Sequence, residues 1–305
     1  MSILVIGSSN TDLTIHTEKM PRPGETVLGN GFTVNAGGKG ANQAVGAARL
    51  GTDVTFSCMV GDDQYGEDSS ERFRMEGIDT SYVFVNRSSP SGVALITIDG
   101  NGENCIVVAG GANGQFSPED VDRIDNFSTH SIVLSQLEIP LETVIHIGHL
   151  ARRHKIPFVL NPAPAQKLPP ELLGNIDIIT PNETEAEILT GIKVTCEESA
   201  EKAAQSLCKS GVRTVIITMG SKGAFLYENG KGIMTRAFKA EAVDTTAAGD
   251  IFNGALCAAL SEGRPTADAV KFAAAASAIA VTRHGAQNSA PYRNEVENIL
   301  MTSTL

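Results

Sequence analysis

The run Asp244-Thr245-Thr246-Ala247-Ala248-Gly249-Asp250 sets small residues directly before the apolar stretch Ile251-Phe252-Asn253-Gly254-Ala255-Leu256. Small residues that lead into a helix, here one continuing to about Glu262, leave backbone amides uncovered. Together with the helix dipole, such amides make an anion site. An acidic residue at the mouth of that site is out of place if its only task is binding. It has a task if the Asp250 carboxylate accepts the proton of a hydroxyl that attacks a phosphate. General base catalysis supplies roughly 100- to 10,000-fold, so amides that hold the transferred charge matter at least as much. Taken alone, Asp250 reads more readily as a helix N-cap, a role in which Asp is among the best residues.

Four other stretches carry polar groups where a chain turns. Asn35-Ala36-Gly37-Gly38-Lys39-Gly40-Ala41-Asn42-Gln43-Ala44 lets backbone approach a ligand closely and offers Lys39 and Asn42 as donors at a helix start. It is not a Walker A loop, because Lys39 is followed by Gly40 and the spaced upstream glycine is missing. Gly7-Ser8-Ser9-Asn10-Thr11-Asp12 follows the first apolar run without a G-x-G-x-x-G, so the Rossmann dinucleotide fingerprint is absent. Asn10 and Asp12 instead alternate on one side of an extended segment, which suits a polyol, although either residue alone also fits an ordinary polar strand end. Ile179-Thr180-Pro181-Asn182-Glu183-Thr184-Glu185 ends a strand and opens a helix, with Asn182 and Glu185 in capping-box spacing. Glu185 could equally organise water around a magnesium ion. Thr218-Met219-Gly220-Ser221-Lys222-Gly223 is a glycine-rich turn after a strand, compatible with nucleotide contacts and weak by itself.

His146 and His149 stand three apart on one helix, but no third ligand accompanies them, so a metal site is not expected there. The basic run Arg152-Arg153-His154-Lys155 reads as a solvated helix end.

Short β-branched runs at 3–6, 54–58, 132–134, 158–160, 176–179 and 215–218 read as buried strands. Amphipathic stretches at 40–50, 141–154 and 197–210 lie between them. This alternation predicts an α/β fold with a mostly parallel sheet covered by helices on both faces. Ligands of such sheets sit beyond the carboxyl ends of the strands. Segments 12–34 and 92–108 break the alternation with hairpin-like strands and turn residues, and are expected to form a small, mainly antiparallel sheet. A sheet that small must cover something or pair with another copy, so a lid is expected; two surface hairpins remain the plainer alternative.

Over 305 residues, 42% hydrophobic and 19% charged, the composition is globular, and a formal charge of −11 argues against a sequence-independent grip on nucleic acid. It leaves ATP open, since a phosphate site needs only local donors. Cys58, Cys105, Cys196, Cys208 and Cys257 show no paired spacing and are expected to be buried thiols of a cytoplasmic protein. The N-terminus lacks a basic n-region, and the alanine-rich run at 272–281 is too short to span a bilayer.

In this order, the segments resemble the ribokinase family of carbohydrate kinases over essentially the whole chain. Gln136-Leu137-Glu138, Asn161-Pro162-Ala163-Pro164 and Ala280-Val281-Thr282-Arg283-His284-Gly285-Ala286 add to the likeness. The resemblance implies a ribokinase-like three-layer α/β/α domain over 1–305, with a β-sheet lid from insertions at about 12–34 and 92–108. It also implies Asp250 as catalytic base and an anion hole from the amides of Ala247, Ala248 and Gly249. Asn10, Asp12, Gly38, Lys39, Asn42 and Glu138 would hold the sugar. Asn182, Thr218, Gly220, Ser221, Gly223 and Gly249 would lie along ATP, and Glu185 would support the water shell of Mg2+. Asp244, Thr246, Ala280, Arg283, Gly285 and Ser289 match the loops that bind an activating K+ in the family, mostly through carbonyls. Many members have glycine in place of Ala247; alanine still presents its amide. A homodimer formed through the lid is part of the same likeness.

The expected sugar contacts set two carboxylates, Asp12 and Glu138, against one cation, Lys39. A phosphorylated acceptor would want more positive charge, and a nucleoside would want stacking surfaces, yet the chain has no Trp and 5% aromatics. A neutral polyol fits best: D-ribose, phosphorylated at its 5-hydroxyl, leads, and deoxyribose is not separated from it. A dinucleotide-dependent oxidoreductase is opposed by the missing fingerprint. A silent sugar-binding protein would have no use for Asp250 and an anion site together.

Overall fold

A computed structural model of the chain describes residues 2–302. In the first strand, Ile3, Leu4, Val5 and Ile6 are all fully buried, although alternate side chains of a strand point to opposite faces. A strand buried on both sides belongs inside a parallel sheet covered by helices.

In chain order the strands are β1 (Ser2–Ile6), β2 (Asn10–Thr17), β3 (Gly29–Gly37), β4 (Asp53–Gly61), β5 (Asp79–Asn86), β6 (Gly92–Ile98), β7 (Asn104–Ala109), β8 (Ile132–Ser135), β9 (Phe158–Leu160), β10 (Ile178–Ile179), β11 (Thr214–Thr218), β12 (Ala224–Glu228) and β13 (Lys231–Thr235). The helices are α1 (Lys39–Arg49), α2 (Gln64–Met75), α3 (Pro118–Val121), α4 (Leu141–His154), α5 (Pro170–Leu173), α6 (Glu183–Thr190), α7 (Glu197–Lys209), α8 (Ala248–Ser261), α9 (Thr266–Ala280) and α10 (Arg293–Thr302).

The larger sheet has nine strands in the order β13-β12-β11-β10-β9-β8-β1-β4-β5. It is parallel from β5 through β11, and antiparallel at β11-β12-β13. One face buries Ile3 and Val5 against α1, α8 and α9. The other buries Leu4 and Ile6 against α4 and α7. The expected three layers are therefore present. Three strands were not expected from the sequence: β5, a partly exposed edge strand, and the β12–β13 hairpin.

The smaller sheet has the order β3-β2-β6-β7, antiparallel within each hairpin and parallel between β2 and β6. Its strands begin at Asn10 and end at Ala109, slightly beyond both expected segments. Cross-strand partners share a face, so Leu13, Val34, Leu95 and Val107 stand together, with Ile15 and Phe32 two residues along. On this outer face Ile15, Phe32, Val34, Leu95 and Val107 are 43% to 62% exposed. Asp12 stands on the opposite face.

Cys58 and Cys257 are buried as expected. Cys208 is half-buried, and Cys105 and Cys196 are exposed, the former on β7 of the smaller sheet and the latter just before α7, contrary to the expectation that all five are buried. The alanine-rich run lies mostly in α9, and among the described residues no helix is long and apolar enough to cross a membrane.

Candidate active site

Asp250 is the third residue of α8, and the cap position is held by Ala247 without any side-chain cap bond. The N-cap reading is thereby excluded: the carboxylate points away from the helix's own amides and into the protein, with Asp250 only 5% exposed. Asn42 Nδ2 donates to Asp250 Oδ2 at 2.9 Å and Gln43 Nε2 donates to Oδ1 at 3.1 Å. Both donors come from α1, which lies close against α8 because Gly254 has no side chain. A Cβ at Gly254 would stand 2.5 Å from the Gln43 carbonyl oxygen. Gly38 performs the same service at the start of α1: its φ is 89° and a Cβ would stand 2.6 Å from the Asn10 amide.

The turn into α8 leaves amides uncovered. Ala247 adopts a left-handed φ of 58°, a region that suits glycine better than alanine. Ala248 N–H is turned onto the Thr245 carbonyl at 3.2 Å. Among the described residues, the amides of Ala247, Gly249 and Asp250 have no acceptor within the protein. Ser277 Oγ donates to the Ala248 carbonyl at 3.0 Å and Asn253 Nδ2 to the Gly249 carbonyl at 2.8 Å, so the peptide planes after both residues are fixed.

The expected sugar contacts converge on this point. Glu138 Oε2 accepts from Ser8 Oγ at 2.5 Å and from the Lys39 amide at 3.0 Å, which ties the ends of β1 and β8 to α1. Asn10 Oδ1 accepts from Asn113 Nδ2 at 2.7 Å, while Asn113 also grips both backbone groups of Ser9. Burial pushes the Asp12 carboxyl up to about 6, with the Glu138 and Asp250 charges adding to the effect. The Asp250 charge holds the Lys39 ammonium above its ordinary value against the opposing effect of burial, with Glu138 and Glu185 contributing. Asn42 Oδ1 is buried and has no hydrogen-bond partner among the described residues. A buried acceptor of this kind is costly unless a ligand hydroxyl meets it.

Beside this pocket opens a cleft of about 710 Å³, lined by Asn182, Thr218, Gly220, Ser221, Gly223 and Gly249. Phe238, Ala242 and Ala278 add apolar lining to it. The structure thus brings the expected nucleotide residues together along one trough that ends at the start of α8. Asn182 and Glu185 form a complete capping box, with Glu185 N donating to Asn182 Oδ1 and Asn182 N to Glu185 Oε2, both at 2.8 Å. Burial raises the Glu185 carboxyl, against the lowering effect of the Asn182 amide and the Lys39 charge.

Asp244 joins the two loops expected to hold a cation: Oδ1 accepts from the Thr246 amide and Oδ2 from the Gly285 amide, each at 2.9 Å. Burial raises its carboxyl, but these bonds and the nearby His284 outweigh it and hold the group below its ordinary value. Ala280 accepts from the Arg283 amide at 3.0 Å, Ser289 Oγ donates to the Ala286 carbonyl at 2.7 Å, and the Arg283 guanidinium pairs with Glu295. His146 Nε2 donates to Asp122 Oδ1 at 2.7 Å, and no group of three metal-ligating side chains occurs among the described residues.

Asn113 had no place in the sequence-based expectation, and Gln43, Gln136, Asn161, Thr180 and Asn253 appeared only within motifs. Their common signature is a buried amide or hydroxyl, which sequence spacing does not reveal.

A layered α/β body with a second, smaller sheet, and a buried carboxylate at the start of the helix that opens onto a cleft, fit a carbohydrate kinase. The model of the pfkB family carbohydrate kinases matches residues 1–293, and the chain belongs to that family. It is 45% identical over 300 residues to ribokinase of Haemophilus influenzae, covering 98% of each chain. It is 40% identical over 293 residues to deoxyribokinase of Salmonella typhi, covering 95% of this chain and 96% of the other. Among solved structures, that of Arabidopsis thaliana ribokinase complexed with ribose and ATP aligns with a TM-score of 0.93 at 35% identity, covering 98% of both chains.

Proposed function

We propose that this protein transfers the γ-phosphoryl group of ATP to the 5-hydroxyl of D-ribose, giving ribose 5-phosphate and ADP, with Asp250 as the base. The observation that carries this reading is the Asp250 carboxylate itself. It is buried, held on both oxygens by neutral amides, next in sequence to Gly249 of the cleft lining, and close enough to Asp12 and Lys39 for its charge to act on both. The names of the relatives bring ribose to a pocket whose carboxylates already suit a neutral polyol.

Asn10, Asp12, Gly38, Lys39, Asn42 and Glu138 bind the sugar and aim its 5-hydroxyl at Asp250. The hydroxyl proton passes to the carboxylate as its oxygen bonds to the γ-phosphorus and the bond to the ADP oxygen breaks. The uncovered amides of Ala247, Gly249 and Asp250 take the charge that spreads over the transferred group; Ala248 joins them only if its turn to Thr245 opens. Asn182, Thr218, Gly220, Ser221 and Gly223 seat the nucleotide.

The carboxylate of Glu185, bonded to Asn182 of the cleft lining, fits Mg2+ held through water. The clasped loops of Asp244, Thr246, Ala280, Arg283, Gly285 and Ser289 fit K+ held by carbonyls. When bound, these ions supply fixed positive charge for the phosphates and behind the anion hole. The lid closes over the sugar with its Asp12 face, and its apolar outer face and free edges at β3 and β7 fit a homodimer formed through the lid.

The test is ADP release from Mg-ATP over a panel of sugars, with and without K+. Ribose is expected to give the highest kcat/KM, with K+ raising it. Faster turnover of deoxyribose moves the assignment to the second relative's substrate, and release without any sugar dependence ends the kinase reading.

A further inference from the structure

We propose that a closed circuit of buried side chains, Gln43, Asn161, Thr180 and Asn253, sets Asp250 and the Gly249 peptide in register with each other for phosphoryl transfer. The inference rests on Asp250 being the base and assigns work to residues for which that reading has none.

The circuit can be followed atom by atom. Gln43 Nε2 donates to Asp250 Oδ1 and to Asn161 Oδ1, each at 3.1 Å. Asn161 Nδ2 donates to the Thr180 carbonyl at 3.2 Å, and Thr180 Oγ1 donates to Asn253 Oδ1 at 2.6 Å. Asn253 Nδ2 then donates to the Gly249 carbonyl at 2.8 Å, and the peptide bond returns to Asp250. All of these residues except Gly249 are buried. The members come from α1, the ends of β9 and β10, and α8, so four separate parts of the fold meet in one chain of bonds.

The direction of the chain is fixed from outside. Gln136 Nε2 donates to Gln43 Oε1 at 2.6 Å, which leaves the Gln43 amino group to face the carboxylate. Gln136, like Gln43, is fully buried. Apolar side chains would fill these positions without the cost of burying amides. A buried polar chain is worth its cost when the orientation of its ends matters. Its ends here are the Asp250 carboxylate and the carbonyl whose peptide plane aims the Asp250 N–H. These four are positioning residues: they touch the reacting groups through Asp250 and Gly249, not the sugar.

Two independent perturbations follow. Gln43→Met keeps the volume and removes one donor from the ionised carboxylate, which makes Asp250 more basic. The acid limb of kcat, measured at saturating ribose and Mg-ATP, is expected to move to higher pH by about one unit, because activity needs the ionised form. Thr180→Val removes the hydroxyl that anchors Asn253; kcat is expected to fall roughly tenfold with ribose KM little changed and the acid limb unmoved. Thr180→Ser is expected to restore kcat. Melting curves and ribose binding establish that each variant is folded, and if Gln43→Met does not fold, the Thr180 pair decides alone. An unmoved acid limb in folded Gln43→Met, or Thr180→Ser no faster than Thr180→Val, overturns the proposal. Failure of the underlying reading shows differently: Asp250→Asn would then turn over normally.

Discussion

Asn42 and Asp250 lie 208 positions apart, yet Asn42 Nδ2 donates to Asp250 Oδ2 at 2.9 Å in a buried setting. One end of the same amide therefore steadies the proposed base while the other, Oδ1, is buried with no hydrogen-bond partner among the described residues, an acceptor that a sugar hydroxyl would satisfy.

That double duty gives a first expectation. Asn42→Leu removes a donor to Asp250 and an acceptor for a sugar hydroxyl at once. Ribose affinity by calorimetry is expected to fall roughly 10- to 100-fold, with kcat also reduced, from the loss of one or two buried hydrogen bonds. Unchanged affinity would mean that the orphan oxygen does not meet the sugar.

Asp12 ties substrate binding to pH. Its carboxyl is pushed from an ordinary 3.8 up to about 6, first by burial and then by Glu138 and Asp250. Between those values the folded protein binds a proton that the unfolded chain has released, so stability from this group is present below about pH 4 and lost as pH rises through about 6. Asp12→Asn is therefore expected to raise the melting temperature near pH 8 by roughly a few degrees and to leave it unchanged near pH 4. The same change is expected to raise the ribose KM at pH 8. A lower melting temperature at pH 8 would show that the ionised carboxylate is stabilised where it sits.

The outer face of the lid predicts the oligomeric state. Phe32 is paired across the strand with Ile15 and is 61% exposed. Phe32→Asp places a charge in the middle of that apolar band, and sedimentation is expected to shift from dimer to monomer. If the wild type sediments as a monomer, the lid acts as a cover alone.

Much of this was legible from the sequence, for reasons that can be named. Strands such as β1 announce themselves because residues buried on both faces must all be apolar, and the small residues before Asp250 mark a helix start with free amides. β5 did not, because an edge strand is half exposed and mixes Asp, Ser and Asn into its run. The β12–β13 hairpin carried a readable sign: Asn229 and Gly230 take φ of 53° and 76°, the two-residue turn that Asn-Gly favours. What spacing could not give was company. Whether Asp250 caps its own helix or accepts amides from α1 depends on how closely two helices pack, and that is set by Gly254 and Gln43 meeting across 211 positions, from 43 to 254. Asn113 steadies Asn10 through a similar long-range bond. The left-handed turn at Ala247 is one that glycine would adopt without strain.

The most direct test of the account is the turnover of Asp250→Asn with ribose and Mg-ATP, measured beside its ribose affinity. Asparagine keeps the size and one acceptor but cannot take the proton. The account predicts a fall in kcat of roughly 100- to 10,000-fold with ribose still bound. Turnover near that of the unaltered protein would contradict it.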